Sequence, residues 1–372
     1  MTRYFLGLIS GTSVDGVDAA LCRFGDRSCT VAAARTFAYP PAIAARIETL
    51  IGSGAGPLAE IGALDVAVGR FFADCALALL KGSGVAPDEV AAIGHHGQTI
   101  RHEPDPPEPF SWQLGDPNSI AAITRIDTVA DLRRLDMALG GQGAPLVPAF
   151  HEWLFASETA ARIILNLGGI ANVTVLAPGR PLLGFDTGPA NTLLDLNARQ
   201  CLGRPYDDGG RWSASGSPDE ALLGACLSDP YFSRPAPKST GRERFNETWL
   251  KQKLAEISHE VADVDVAATL LELSARTIAA AIDALGLGDY ELLACGGGTK
   301  NAALMARIGE RAGRTLKTTA ALGLDPDFVE AAAMAWLARA RLEREAGNRP
   351  TVTAAREAAV LGALYSLGGT KT

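Results

Sequence analysis

The 372-residue chain holds only six cysteines, Cys22, Cys29, Cys75, Cys201, Cys226 and Cys295, and no two of them form a C-x-x-C pair. That scatter supplies neither a zinc site nor a disulfide framework, and reduced thiols in a cytoplasm are the expectation. No uncharged apolar stretch reaches the ~18 residues a bilayer span needs, so no membrane partner is expected. Residues 1–10 are apolar but run straight into Gly11-Thr12-Ser13-Val14-Asp15 rather than into a small-residue cleavage site, which reads against a secretory signal. Excess basic charge is missing too. With 34 Lys and Arg against 42 Asp and Glu, the net charge is −8, leaving no broad face for nucleic acid or an anionic membrane. Two nucleotide signatures are also missing: G-x-x-x-x-G-K-[ST], and a G-x-G-x-x-G that follows a strand and opens a helix. A bound nucleotide would need another kind of turn.

Glycine, by contrast, is plentiful, with 40 residues. That number points to several tight turns where backbone comes close to a partner. Hydrophobic residues at 47% suffice for a core, and 372 residues suit two lobes with a cleft between them. Strand-like runs at 4–10, 17–24 and 29–38 predict a hairpin extended into a meander, followed by helices over 43–51 and 58–80. Residues 90–94 read as a short buried strand entering a polar turn, His95-His96-Gly97-Gln98-Thr99. A similar order returns about 160 residues later. It comprises a strand over 162–167, the turn Gly168-Gly169-Ile170-Ala171-Asn172, strands over 173–177 and 182–185, the polar turn Asp186-Thr187-Gly188-Pro189-Ala190, and a helix over 191–201 capped by Asn191. Helical periodicity covers 220–227, 245–257 and 267–285. A buried strand at 291–294 leads into Cys295-Gly296-Gly297-Gly298, and an alanine-rich helix spans 328–344. The expectation is an α/β protein with mixed sheets flanked by helices. Its N-terminal lobe would span 1–130, completed by about 350–372, and its C-terminal lobe 131–349.

Phosphate oxygens need backbone N–H groups with no side chain in the way, which glycine turns provide. Three turns qualify. The first, residues 10–18, adds hydroxyls that can bond phosphate, while Asp15 and Asp18 can hold Mg²⁺ directly or through water. The second is 166–172, and the third is Gly296-Gly297-Gly298, open enough for a flat ring or a ribose. Each could equally be an ordinary turn. Asp186, at the end of an apolar strand, is the choice for a carboxylate that accepts a proton, although capping the next helix would explain it as well. Gln98, Thr99, Arg101 and His102 form one polar cluster suited to a sugar, and Asp131-Leu132-Arg133-Arg134 forms another. Segment 140–148 is turn-dense enough for a hinge or cleft wall, and 238–245 reads as a solvated loop. His95, His96 and His102 lack the carboxylate or cysteine spacing of a metal site.

Taken together, these segments resemble the anhydro-N-acetylmuramic acid kinases, within the actin, Hsp70 and hexokinase-like ATPase superfamily. The resemblance rests on residues 7–18, 97–102, 140–150, 166–172, 184–191, 238–246 and 295–298, and carries little after Glu345. Ala190 stands where the family pattern has glycine. The resemblance implies two ribonuclease H-like lobes around a central ATP cleft. ATP would be held by Gly11, Thr12, Ser13 and Asp15, by Asn166, Gly168, Gly169 and Asn172, and by Gly296, Gly297 and Gly298. Gln98, Thr99, Arg133 and Glu330 would bind the sugar, with Asp15 and Asp18 toward Mg²⁺ and Asp186 as the base. It further implies that water opens the 1,6-anhydro bridge of the sugar as O6 takes the γ-phosphoryl group, in cell-wall sugar recycling. A homodimer is also implied. Two alternatives stay open: a kinase of another amino sugar such as N-acetylglucosamine, without ring opening, and a non-catalytic nucleotide-binding regulator.

Overall fold

The computed structural model describes residues 3–11, 13–105 and 107–368. Among them the strands run in chain order β1 Tyr4–Ser10, β2 Gly16–Gly25, β3 Ser28–Ala38, β4 Val90–Glu103, β5 Phe110–Leu114, β6 Thr128–Ala130, β7 Arg162–Leu167, β8 Ile170–Leu176, β9 Leu183–Pro189, β10 Glu291–Cys295, β11 Leu316–Thr318 and β12 Ala363–Tyr365. The helices are α1 Pro41–Ser53, α2 Leu58–Ser83, α3 Pro117–Thr124, α4 Arg134–Ala138, α5 Val147–Phe155, α6 Asn191–Leu202, α7 Glu220–Leu227, α8 Glu247–Ala255, α9 Asp263–Asp283, α10 Ala302–Ala312, α11 Val329–Glu343 and α12 Pro350–Thr353. The chain divides into two compact units. Unit 1 takes Met1–Leu154 with Phe328–Thr372, and unit 2 takes Phe155–Asp327.

In unit 1 the sheet runs β12-β6-β4-β1-β2-β3, with β5 attached to β4. β1 pairs antiparallel with β2 and parallel with β4, and β4 pairs parallel with β6. β1 reads YFLGLIS and is buried along nearly its whole length, as a central strand covered on both faces must be. One face packs on α2 through Val68, Phe72, Cys75, Ala76 and Leu79. On the other lies α11, whose alanines let it come unusually close. Gly7 and Gly94 are cross-strand partners, and a Cβ on either would penetrate the backbone carbonyl of Ala331 or Met334 in α11. Here glycine is a packing requirement. The far side of α11 carries Trp336 against Phe150 and Trp153.

Unit 2 repeats the plan with β11-β10-β7-β8-β9. β7, β8 and β9 form an antiparallel meander, while β10 and β11 add parallel to β7. The order β3-β2-β1-β4-β6 of unit 1 thus maps strand for strand onto β9-β8-β7-β10-β11. Both sheets are mixed and helix-flanked, the ribonuclease H-like α/β arrangement of the actin and hexokinase-like fold. In α9, Glu272 is buried with three arginines, accepting from Arg276 Nε at 2.6 Å and Arg307 Nη1 at 2.8 Å and pairing with Arg311 Nη2 at 2.6 Å. A buried carboxylate is tolerated only when paired in this way, and the set ties α9 to α10.

Several predicted turns are strand instead. Residues 95–99 continue β4 as far as Glu103, because their polar groups find partners inside the sheet. Ala171 and Asn172 belong to β8, so the second turn shrinks to Gly168 and Gly169, and Asp186-Thr187-Gly188-Pro189 belong to β9. Asn191 is not the cap of α6. That position falls to Ala190, and Asn191 Nδ2 reaches back to the carbonyls of Leu167 at 3.3 Å and Gly168 at 2.7 Å. Segment 140–143 is pinned: the buried Asp136 carboxylate accepts from Gly143 N, Asn348 Nδ2 and Thr353 Oγ1, while Gln142 N bonds to Thr353 O. The C-terminal segment therefore completes unit 1.

Candidate active site

In unit 1 the β1–β2 turn is anchored from below. Gln98 is fully buried; its Oε1 accepts from Ser10 Oγ at 2.5 Å and its Nε2 donates to the carbonyls of Gly11 and Thr99 at 3.3 and 3.2 Å. Gly16 O, 2.9 Å from Ser10 Oγ, shares the same hydroxyl hydrogen. Two hydrogen-bonded groups thus fix the path of the loop that carries Gly11 and Ser13. Thr12 lies outside the described residues. Val14 sits at φ 58°, a left-handed conformation that a β-branched residue resists by roughly 1–3 kcal/mol, so the loop holds strain of the kind that collects at functional turns. Asp15 is exposed and accepts from Ser13 Oγ at 2.6 Å; Asp18, on β2, is half-buried and accepts from Thr36 Oγ1 at 2.5 Å. Both present oxygen, the donor a hard divalent cation prefers.

The same unit gathers Arg133, Glu330 and His96. Arg133 Nε and Nη2 lie 3.0 and 2.8 Å from His96 Nε2, and Nη1 donates to Gly143 O at 2.6 Å. Burial lowers the Arg133 pKa to about 10 against the opposing charges of Glu330 and Asp136. It pushes His96 down to about 3, helped by the neighbouring Arg133, so this ring is neutral and accepts the guanidinium's hydrogen. His95 Nε2 lies 2.8 Å from the Gly115 carbonyl. Thr99 Oγ1, on β4, accepts from Gln113 Nε2 at 3.2 Å. Arg101 is exposed, and His102 Nδ1 lies 2.9 Å from Ser111 Oγ.

In unit 2 the strand register places Cys295, Asn166, Asn172 and Asp186 side by side on β10, β7, β8 and β9. Cross-strand partners share a face, so three polar groups form one row. A bulge between Ala171 and Asn172 leaves Thr187 outside the register and directs Asp186 onto that row. The segment after α7 then grips Asp186 at three points. Tyr231 hydroxyl donates to Asp186 O at 2.7 Å, Asp186 N donates to Lys238 O at 2.9 Å, and Thr240 N donates to Asp186 Oδ2 at 3.0 Å. The segment 238–245, expected as a solvated loop, is in fact the mount of this carboxylate. It is itself braced by Asp229, which accepts from Arg244 Nη2 at 2.5 Å and Trp249 Nε1 at 2.8 Å. Burial raises the Asp186 pKa to about 6, opposed by the Thr240 N–H and aided by the charge of Glu243. Asp186 is therefore ionised but poorly solvated at neutral pH, the state a general base requires.

The Gly168–Gly169 turn rests on the start of α6. Gly168 O accepts from Asn191 N at 3.2 Å, and Gly169 O accepts from Ala190 N at 2.9 Å and Thr192 N at 3.0 Å. Ala190, at φ −108°, fills its place without needing glycine. Because a trans peptide points its C=O and N–H in opposite directions, the Gly169 N–H faces away from α6. The Arg242 guanidinium lies where a Gly169 side chain would begin, with Nε and Nη2 each 2.9 Å from that position. Arg242 also opposes the burial that raises Asp195, one turn into α6, to about 6. Two of the three glycines of 296–298 are packing residues: a Cβ on Gly296 would enter Asn166 Oδ1, and one on Gly298 would sit 2.6 Å from Asn191 Nδ2 and 2.7 Å from Leu167 O. Only Gly297 faces open space. Sequence reading missed Tyr231, Thr240, Arg242 and Asp136, since their partners lie far away along the chain.

A family model described as anhydro-N-acetylmuramic acid kinase matches residues 3–367. The anhydro-N-acetylmuramic acid kinase of Shewanella denitrificans is 49% identical over 98% of each chain, and that of Pasteurella multocida is 47% identical over 98% of this chain and 97% of its own. Among solved structures, the activator of the 2-hydroxyisocaproyl-CoA dehydratase from Clostridium difficile with bound ADPNP superposes with a TM-score of 0.49 at 11% identity, covering 92% of this chain and 96% of that one. On the match across 3–367 and these near-full-length identities, the chain belongs to the anhydro-N-acetylmuramic acid kinase family.

Proposed function

We propose that the protein is an ATP-dependent phosphotransferase. It hydrolyses the 1,6-anhydro ring of 1,6-anhydro-N-acetylmuramic acid and phosphorylates O6, giving N-acetylmuramic acid 6-phosphate and ADP for the recycling of cell-wall sugar. The observation that carries this reading is Asp186 on its bulged strand, a half-buried carboxylate with a pKa near 6 held by the Thr240 N–H. Its role is to take a proton from water as the water oxygen bonds to C1. The C1–O6 bond breaks with its electron pair on O6, O6 bonds to the γ-phosphorus, and ADP leaves with the electrons of the broken P–O bond. The geometry required of the carboxylate is that of an inverting glycosidase base; the phosphoryl acceptor step replaces the general acid.

The remaining roles are assigned by fit. Gly11, Thr12, Ser13 and Asp15 in unit 1, and Asn166, Gly168, Gly169 and Asn172 in unit 2, are the candidates for the phosphates. The outward Gly169 N–H suits an anion. Gly297 is the open member of the glycine set assigned to the adenosine, with Gly296 and Gly298 shaping the backbone beneath it. Gln98 serves the sugar indirectly by holding its loop, whereas Thr99, Arg133 and Glu330 are the direct candidates. Arg133 suits the carboxylate of a muramic acid. Asp15 and Asp18 are the residues that would hold Mg²⁺, which when bound neutralises phosphate charge. A cytoplasmic homodimer is part of the proposal. Six free cysteines are in keeping with the cytoplasm; among the described residues no helix is long and apolar enough to cross a membrane.

The test is release of ADP from Mg-ATP in the presence of the anhydro sugar, of N-acetylglucosamine, or of neither. ADP formed with the anhydro sugar alone supports the proposal. Turnover with N-acetylglucosamine alone would replace it with a simple amino-sugar kinase, and nucleotide binding without sugar-dependent turnover with a regulator.

A further inference from the structure

Thr99 stands directly opposite Gln113 across β4 and β5. Gln113 Nε2 donates to Thr99 Oγ1 at 3.2 Å and to Ser111 Oγ at 2.7 Å, which uses both hydrogens of the amide. Ser111 Oγ, buried, lies 2.9 Å from His102 Nδ1. Burial and the charge of Arg133 bring the His102 pKa down to about 4, so the ring is neutral near pH 7. In the tautomer with its hydrogen on Nε2 the ring accepts at Nδ1, taking the Ser111 hydroxyl hydrogen and leaving the Ser111 oxygen to accept from Gln113. In that tautomer the chain of bonds has one direction, with Gln113 donating to both hydroxyl oxygens. At its far end the Thr99 oxygen is an acceptor toward Gln113, and its own hydrogen has no partner among the described residues.

We infer that Gln113 is a positioning residue that turns the Thr99 hydroxyl hydrogen toward the sugar, favouring an oxygen placed to accept it: an ether bridge, an amide carbonyl or a carboxylate. The inference rests on the assignment of Thr99 to the sugar made above and adds a direction to that contact. A hydroxyl free to rotate spreads its hydrogen over several partners, whereas one whose oxygen already accepts from an amide keeps its hydrogen and a single lone pair for the sugar, which favours an accepting oxygen there. A cross-strand pair kept only for the stability of β4 and β5 would carry no such preference.

Gln113→Glu separates the two roles. Glutamate matches glutamine in size and can still bond Thr99, but an ionised carboxylate only accepts, so Thr99 must donate to it and turn lone pairs toward the sugar. Expected are a KM for the anhydro sugar raised at least ~10-fold, a kcat within about threefold, and an unchanged KM for ATP. Adding Thr99→Val to Gln113→Glu should cost little more, since the donor is already lost. An unchanged sugar KM in a folded Gln113→Glu protein overturns the inference, as does an equal rise in both KM values. Should Gln113→Glu fail to fold, Gln113→Leu decides. It leaves Thr99 free to rotate, and a sugar KM raised several-fold supports the inference, whereas no change overturns it. Wild-type protein that turns over no anhydro sugar would instead sink the functional reading, and this inference with it, a result that differs from an active wild type with an indifferent variant.

Discussion

Replacing Asp186 with asparagine should abolish catalysis and stabilise the protein. The carboxylate titrates near 6 instead of near 3.8 because burial disfavours its charge. The folded state therefore holds its proton over a pH range in which the unfolded chain has already released it. Between those two values stability falls as pH rises, and above 6 the whole penalty is present. About 1.4 kcal/mol per pH unit over that interval gives an upper bound of about 3 kcal/mol; partial solvent screening of this half-buried group reduces it to about 1–2 kcal/mol. Asparagine keeps an oxygen for the Thr240 N–H and carries no charge, so at pH 7.5 it should recover that amount. The expected rise in the melting temperature of unit 2 is roughly 2–8 °C. At pH 3.5, where the folded state holds the proton and most of the unfolded chain does too, the difference should shrink to about 0.2 kcal/mol. Over the same series kcat should drop at least ~10³-fold with sugar binding retained. Paired thermal melts and steady-state assays at the two pH values provide the check. A variant that is less stable at pH 7.5, or shows the same difference at both pH values, would refute the assignment of Asp186 as a desolvated carboxylate.

Other outcomes follow from the same geometry. The kcat/KM profile of the wild type should have an acid limb near pH 6, and Glu243→Gln, which removes a neighbouring negative charge, should move that limb down by roughly 0.2–0.5 pH unit; no movement would detach Glu243 from Asp186. Gly7→Ala should lower the melting temperature by at least ~5 °C, because its Cβ meets the Ala331 carbonyl and α11 must move, and a neutral result would contradict the close packing of that helix. Gly297→Ala should leave stability within ~0.5 kcal/mol while raising the KM for ATP, and Gly298→Ala should cost about 2 kcal/mol through its overlap with Asn191 and Leu167. Equal effects at the two positions in calorimetry would erase the distinction between an open and a packed glycine.

The strands and helices were readable wherever one period dominated the residues. The run of β1, the meander of β7 to β9 and the helices α1, α2, α7 and α9 follow directly from apolar spacing and turn residues. Legibility failed where polar side chains are satisfied by tertiary partners. His95, His96 and Gln98 look like a turn in sequence, yet they continue β4 because a carbonyl of Gly115, the guanidinium of Arg133 and the loop after Ser10 meet them inside the fold. Asp186 illustrates both sides. Its position after an apolar strand singles it out, but its mount, Tyr231 to Thr240, lies 45–54 residues further on and composes a segment that resembles solvated loop. The glycines divide in the same way: that Gly7 and Gly94 face a helix, and that Gly297 alone of its triplet is open, depends on neighbours that no local pattern identifies.

The central claim is that one acidic side chain activates water at C1 while O6 receives phosphate. It is tested most directly by incubating the protein with Mg-ATP and 1,6-anhydro-N-acetylmuramic acid in ¹⁸O-labelled water and locating label and phosphate in the product by mass spectrometry. The account predicts one ¹⁸O at C1 and an unlabelled phosphoryl group on O6 of the opened sugar. A phosphorylated product with the anhydro bridge intact, or an opened sugar with its new C1 oxygen unlabelled, would contradict it.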